Sequence, residues 1–167
     1  HYFDSTGGGV TLSGGEPLMQ ADAVAELLSL FHQRNINTGV ETCGEADWLS
    51  FEKIISYTDL FYFDLKAHGD SLHKKLTGCF ANRIAENAAR LAKAGTNVLF
   101  RMPIVPGYND SEESLQGVAG LLHRLGHKSI QLLKYHSGGQ KKIDRIDSKQ
   151  PKLDISTTMA TSAIERA

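Results

Sequence analysis

The chain has 167 residues, a length at which one hydrophobic core is expected and two are not. Its 41% hydrophobic and 22% charged residues are ordinary for a globular domain, and a formal net charge of -1 gives no electrostatic reason to expect nucleic acid or a membrane as a partner. Two cysteines are too few for a disulfide framework, and no apolar run reaches the length of a membrane helix, so we expect a cytoplasmic protein.

The first predicted strand lies inside a glycine-rich segment. Five glycines fall within residues 7–15, and the β-favouring run Val10-Thr11-Leu12 separates them into two groups. Glycine has no Cβ, so at Gly14 and Gly15 the main chain can take positive φ and contact a ligand. Glu16 then places a carboxylate at the end of the turn. This arrangement suits a ligand that carries an ammonium group and needs close backbone contact.

Two phosphate-binding motifs do not fit the same glycines. A dinucleotide fingerprint requires G-x-G-x-x-G, but four residues separate Gly9 from Gly14. A P-loop requires Lys and then Ser or Thr after its last glycine, where this chain has Glu16. A glycine-rich hairpin without a ligand stays open as the structural alternative.

Helix and strand patterns alternate along the rest of the chain. The predicted helices cover residues 21–34, 47–56 with Asp47 as the N-cap, 84–94, 111–125 and 157–166. The predicted strands cover residues 37–41, 60–65, 97–105 and 129–134, and we expect Pro103 to break the third of these. Repeated βα units with polar residues just after each strand predict a parallel α/β barrel, with its chemistry at the carboxyl ends of the strands.

Five motifs follow one another in order along the chain. They are the glycine-rich segment 7–18, Glu41-Thr42-Cys43-Gly44, Asp64-Leu65-Lys66, the segment 101–110 that begins Arg-Met-Pro-Ile-Val-Pro-Gly, and Tyr135-His136. Together they resemble the landmarks of radical S-adenosylmethionine (SAM) enzymes. Within that superfamily they are most similar to the activating enzymes of glycyl radical enzymes such as pyruvate formate-lyase.

The resemblance implies a fold and an activity. The fold would be a partial, six-unit TIM-like barrel, of which this chain supplies an open parallel sheet of about five strands flanked by helices. The activity would use SAM and a [4Fe-4S] cluster to generate a glycyl radical on a partner enzyme. An electron donor such as flavodoxin or ferredoxin would be a second protein partner.

The cysteine pattern departs from that family. Its members hold the cluster with three cysteines spaced C-x-x-x-C-x-x-C before the glycine motif, whereas this chain has only Cys43 and Cys79, far apart. We therefore expect residues 1–167 to be one radical SAM core domain that is truncated at its N-terminus, and at its C-terminus as well. The cluster ligands are expected only in a full-length protein.

The resemblance also implies roles for the motif residues around SAM. Gly14, Gly15 and Glu16 would contact the amino group of its methionine moiety, and Lys66 would pair with its carboxylate. His136 would stack on or hydrogen-bond the adenosine.

The remaining implied roles fall at the ends of three predicted strands. Glu41 and Thr42, together with Asp64 of the Asp64-Leu65-Lys66 motif, would hold a monovalent cation beside SAM. Glu41 stands where close relatives have Asp, which makes that cation site uncertain. Arg101 would reach SAM or the edge of the cluster.

Two other functions remain open at this point. One is a SAM-binding or inactive remnant without redox activity, because the chain lacks the cysteine triplet. The pattern His68-x-Asp70-x-x-His73 also allows a metal-dependent barrel hydrolase. The sequence does not identify which glycyl radical enzyme an activating enzyme would serve.

Overall fold

A computed structural model describes residues 2–135 and residue 155. The helices are α1 Tyr2–Thr6, α2 Ala21–His32, α3 Trp48–Ile54, α4 Asp70–Thr77, α5 Asn82–Lys93 and α6 Glu112–Arg124. The strands are β1 Gly9–Leu12, β2 Asn37–Thr42, β3 Leu60–Asp64, β4 Val98–Ile104 and β5 Gln131–Lys134. Short 3₁₀ turns at Pro17–Gln20 and Ile55–Tyr57 precede α2 and β3 respectively.

The five strands form one open parallel sheet in the order β1-β2-β3-β4-β5. Each strand therefore pairs with the next one along the chain, and the carboxyl ends of all five meet at one rim. This arrangement confirms the predicted α/β class, an open parallel sheet of five strands flanked by helices.

The two faces of the sheet differ in character. Because side chains alternate along a strand, Phe61 and Phe63 point into the core while Tyr62 and Asp64 lie on the opposite, half-exposed face. The core joins the sheet to the helices through a cluster of fully buried apolar residues. These include Val40, Phe61, Phe63, Phe100 and Ile104 from the strands and Leu28, Phe51, Ile54, Ala88 and Leu91 from the helices.

Most predicted elements are present, with two local differences. Asp47 precedes α3, but its side chain makes no capping hydrogen bond there and instead lies 3.6 Å from Arg83. The predicted break at Pro103 is wrong, because β4 continues through Pro103, which lies in register with Leu133 of β5. Proline removes only one N–H from the ladder, and Asn109 donates a hydrogen bond to the Pro103 carbonyl.

Two helices were not predicted, and one prediction is not testable here. The sequence patterns missed α1 and α4, which are short and mostly polar. The predicted helix over 157–166 lies outside the described residues. Within residues 2–135, every helix is too short and too polar to cross a lipid bilayer.

Candidate functional site at the carboxyl rim of the sheet

Glu16 ties the glycine turn to the end of β2. Its Oε1 accepts hydrogen bonds from the Thr42 hydroxyl at 2.8 Å and from the Leu18 backbone N–H at 3.3 Å. Its Oε2 accepts from the Cys43 backbone N–H at 2.8 Å. Since a carboxylate offers about four acceptor positions, these three bonds together with a hydrogen bond from the Cys43 thiol use its capacity and fix the turn.

The glycine pair ahead of Glu16 opens into free space. Gly14 has φ +126°, a conformation that side chains rarely adopt, and a Cβ added at Gly14 or Gly15 would meet no atom within 4 Å. The main chain is therefore accessible at both positions, as the sequence predicts for a backbone cradle.

Glu41, Arg101 and Asp64 form an ion network across three neighbouring strands. The Arg101 guanidinium donates from Nη1 to Glu41 Oε1 and from Nε to Asp64 Oδ1, each at 2.9 Å, and its Nη2 also lies 2.9 Å from Asp64 Oδ1. The hydroxyl of Ser13, the residue before the glycine pair, donates to Glu41 Oε2 at 2.5 Å. The hydrogen bonds from Ser13 and Arg101 lower the pKa of Glu41, so this carboxylate stays ionised at neutral pH.

Thr42 and Cys43 are held tightly at the end of β2. The buried Thr42 hydroxyl donates to Glu16 and accepts from the Gly44 N–H at 3.0 Å. Burial, together with a hydrogen bond to the Glu16 carboxylate, raises the pKa of the Cys43 thiol to about 11. Cys43 is therefore a neutral thiol, which is neither a ready nucleophile nor a ready metal ligand.

The three residues of the Asp64-Leu65-Lys66 motif differ in environment. The Asp64 carboxylate faces the ion network, whereas the Leu65 side chain is 3% exposed within the core. The Leu65 N–H donates to the Arg101 carbonyl at 2.8 Å, so Leu65 offers the site only its backbone. Lys66 is half-buried at the rim, and its carbonyl accepts a hydrogen bond from Asn109 Nδ2 at 2.7 Å.

The structure thus brings together most of the predicted site residues at one rim. They are Gly14, Gly15, Glu16, Glu41, Thr42, Asp64, Lys66 and Arg101. His136 lies outside the described residues. Sequence reasoning missed two supporting residues, Ser13 and Asn109, although both lie within the recognised motifs.

Asn109 joins the ends of β3 and β4. It is fully buried, accepts from the Val105 N–H at 2.6 Å and donates to the carbonyls of Lys66 and Pro103 at 2.7 and 2.8 Å. An isolated asparagine after Gly-Tyr gives no sequence signal for this role, because all three contacts depend on the packing of two strand ends.

Within the His68-x-Asp70-x-x-His73 pattern, Asp70 and His73 form hydrogen bonds with backbone groups of the protein. His73 is buried with Nδ1 2.8 Å from the Cys79 carbonyl, and Asp70 accepts from the Ala81 N–H at 2.7 Å. Among residues 2–135 and 155, no group of three or more His, Cys, Asp or Glu residues has the arrangement of a metal site.

Comparison with known proteins gives both a family and relatives. The sequence profile of the radical SAM superfamily matches residues 2–116. The isethionate sulfite-lyase activating enzyme of Nitratidesulfovibrio vulgaris is 36% identical over 96% of this chain and 52% of that protein. The choline trimethylamine-lyase activating enzyme of Oleidesulfovibrio alaskensis is 36% identical over 99% of this chain and 54% of that protein. The chain spans about half the length of the curated relatives it matches.

A solved structure agrees with these sequence matches. The crystal structure of a domain of a pyruvate-formate lyase-activating enzyme from Bacteroides vulgatus superposes with a TM-score of 0.73 at 25% identity, covering 95% of this chain and 92% of that domain. These similarities confirm the resemblance to glycyl-radical-enzyme activating enzymes. Because the superfamily profile matches most of its length, the chain belongs to the radical SAM superfamily.

Proposed function

We propose that residues 1–167 form the radical SAM core domain of an activating enzyme that generates a glycyl radical on a partner enzyme. The observation that carries the proposal is the convergence of the glycine turn and the end of β2 on the Glu16 carboxylate. This contact fixes an accessible stretch of backbone at the rim where parallel α/β proteins bind their ligands. The similarity to named activating enzymes supports the same conclusion.

The charged groups of the rim suit SAM. The open backbone at Gly14 and Gly15, with the negative charge of the adjacent Glu16 carboxylate, suits the ammonium group of the methionine moiety. The Lys66 ammonium suits its carboxylate, and we assign the adenosine to His136. When bound, SAM supplies the radical chemistry that removes a hydrogen atom from a glycine Cα of the partner. This chain binds SAM, orients it and excludes water.

A [4Fe-4S] cluster does not fit the thiols of this chain. The sequence contains only Cys43 and Cys79, and Cys43 is a neutral, half-buried thiol. A thiolate triplet is needed for such a cluster, so we assign the cluster to residues of a longer protein and derive no step through it.

The proposed partners are proteins. The radical acceptor is a glycyl radical enzyme, because only a glycine lacks the side chain that would keep its Cα from the reacting atom. Pyruvate formate-lyase is one candidate, although the curated relatives above are named for other lyases. We propose flavodoxin or ferredoxin as the electron donor.

SAM affinity tests the proposal. Calorimetry on a longer protein that joins this chain to a C-x-x-x-C-x-x-C segment, reconstituted with iron and sulfide, should detect SAM binding. Glu16→Ala and Lys66→Ala each remove a charge-assisted contact of about 1.5–3 kcal/mol, so each should weaken binding roughly tenfold to a hundredfold.

A matched control separates the site from general charge effects. Lys53→Ala removes a lysine that pairs with Asp22 at the surface and should leave SAM affinity unchanged. If Glu16→Ala and Lys66→Ala both leave the SAM affinity unchanged, the assignment of Glu16 and Lys66 to the SAM site is wrong. SAM binding without reductive cleavage would favour the remnant without redox activity, and stoichiometric zinc in the purified protein would favour the hydrolase.

A further inference from the structure

Arg101 lies between two carboxylates on the half-exposed face of the sheet. It comes from β4, Asp64 from β3 and Glu41 from β2, so the three residues cross three adjacent strands. The guanidinium contacts Glu41 Oε1 and Asp64 Oδ1, each at 2.9 Å. The Arg101 side chain is only 13% exposed, and those of Glu41 and Asp64 are 34% and 22% exposed.

Neighbouring groups fix this arrangement. The Ser13 hydroxyl takes the second oxygen of Glu41, and the Arg101 guanidinium lies 5.2 Å from the centre of the Tyr62 ring. The side chain of Glu41 is one methylene longer than that of aspartate, which lets it span from Ser13 to Arg101. Two hydrogen-bonded ion pairs and an aromatic surface hold the guanidinium in one orientation.

Thr42, the third residue expected to bind a cation, also has hydrogen-bond partners within the protein. The Thr42 hydroxyl is buried, donates to Glu16 and accepts from the Gly44 N–H. All three side chains that the family resemblance assigns to a monovalent cation therefore have protein partners. A cation placed between Glu41 and Asp64 would also meet the positive charge of Arg101 at short range.

We infer that the Arg101 guanidinium is the built-in counter-cation of the Glu41–Asp64 pair, and that this site works without a bound monovalent metal ion. The inference goes beyond the proposed function, because it concerns the charge balance of the folded chain and requires no SAM for its test. Arg101 is thus a positioning residue that links the ends of β2, β3 and β4.

Thermal unfolding of the 167-residue chain tests this inference. Its melting temperature should agree within about 1 °C in sodium, potassium and choline chloride at equal ionic strength, because a protein without a binding site gains no ligand stabilisation. Arg101→Met removes the positive charge that lies between the Glu41 and Asp64 carboxylates. The variant should melt roughly 3–6 °C higher in sodium or potassium than in choline, as expected for a cation at about ten times its dissociation constant.

Arg83→Met is the matched control. Arg83 also bridges two carboxylates, Glu45 at 3.3 Å and Asp47 at 3.6 Å, but its side chain is 55% exposed. Removal of this surface arginine should create no preference for sodium or potassium over choline, because the Asp47 side chain is 81% exposed and its carboxylate remains hydrated.

Two results would overturn the inference. One is a sodium- or potassium-specific rise in the melting temperature of the unsubstituted chain, and the other is a folded Arg101→Met variant without cation preference. If Arg101→Met does not fold, the ²³Na linewidth of the unsubstituted chain decides: saturable broadening contradicts the inference, and its absence supports it. Arg101→Lys keeps one charge and should remain cation-independent.

Discussion

At the residue scale, the Glu16 carboxylate controls the chemistry of its neighbour Cys43. It accepts the Cys43 backbone N–H and also a hydrogen bond from the thiol, so ionisation of the sulfur would place two negative charges together. Burial of the thiol opposes the thiolate still more strongly. The Cys43 thiol is thereby kept unreactive toward electrophiles at this rim.

Alkylation of the two cysteines tests this effect. The pKa of about 11 makes the thiolate fraction of Cys43 at pH 8 on the order of a hundredfold smaller than that of an ordinary cysteine. With iodoacetamide at pH 8, we expect the exposed Cys79 to react first and Cys43 at least tenfold more slowly, as followed by peptide mass spectrometry.

The Glu16→Gln variant serves as the internal control. It removes the negative charge that raises the pKa of Cys43 and should speed its alkylation, while Cys79 keeps its rate. In urea the two cysteines should react alike. Equal rates in the native chain would contradict the assigned environment of Cys43.

At the scale of elements, the turn after β2 is packed closely against the core. Gly44 has φ +79°, and a Cβ built there would lie 2.3 Å from Cζ of the buried Phe63. The Gly44 carbonyl accepts a hydrogen bond at 2.9 Å from Asn87, which also donates to the Ala46 carbonyl. The position of Cys43 beside Glu16 therefore depends on a turn that only glycine fits.

Substitution of two glycines separates backbone strain from crowding. Gly95 follows α5 with φ +72°, yet a Cβ there would have no neighbour within 4 Å. Gly95→Ala should cost about 1–2 kcal/mol of unfolding free energy from φ alone. Gly44→Ala adds a displacement of Phe63 and should cost roughly 1–3 kcal/mol more.

Urea unfolding of both variants measures the difference. Equal losses of unfolding free energy for Gly44→Ala and Gly95→Ala would show that Phe63 does not confine the turn. A larger loss for Gly95→Ala would contradict the prediction outright.

At the scale of the whole molecule, the sheet supplies the rim to which we assign SAM, but the two cysteines of this chain are too few for the thiolates of a cluster. Its two cysteines follow β2 and α4 in sequence, whereas the family motif needs three cysteines close together. The amino and carboxylate groups of SAM would therefore rely on the protein contacts alone in this chain.

Anaerobic reconstitution with iron and sulfide tests the whole chain. After desalting, we expect no bound four-iron cluster by iron and sulfide analysis, because too few thiolates are present. A longer protein that adds the three-cysteine segment should retain the cluster under the same conditions. Stoichiometric iron and sulfide with a charge-transfer absorption band in the 167-residue chain would refute this expectation.

Local sequence patterns predicted most of the sheet but not all of the helices. The continuous apolar run of β3 indicates a strand that buries one face, and the β-favouring residues of β1 indicate a strand although β1 has no fully buried residue. The polar helix α4 has no apolar stripe of useful length and was missed. Pro103 was expected to break β4, but an Asn109 contact absent from any local pattern satisfies its carbonyl.

The sequence by itself determined the fold class and the residues of the rim, because strand patterns and motif order are local properties of the chain. Only the tertiary structure decided what those residues do to one another. Arg101 pairs with Glu41, 60 positions away, and with Asp64 because strand register brings three strands side by side. Charge balance between distant residues depends on strand register and on burial. Both arise from tertiary packing and cannot be inferred from single positions in the sequence.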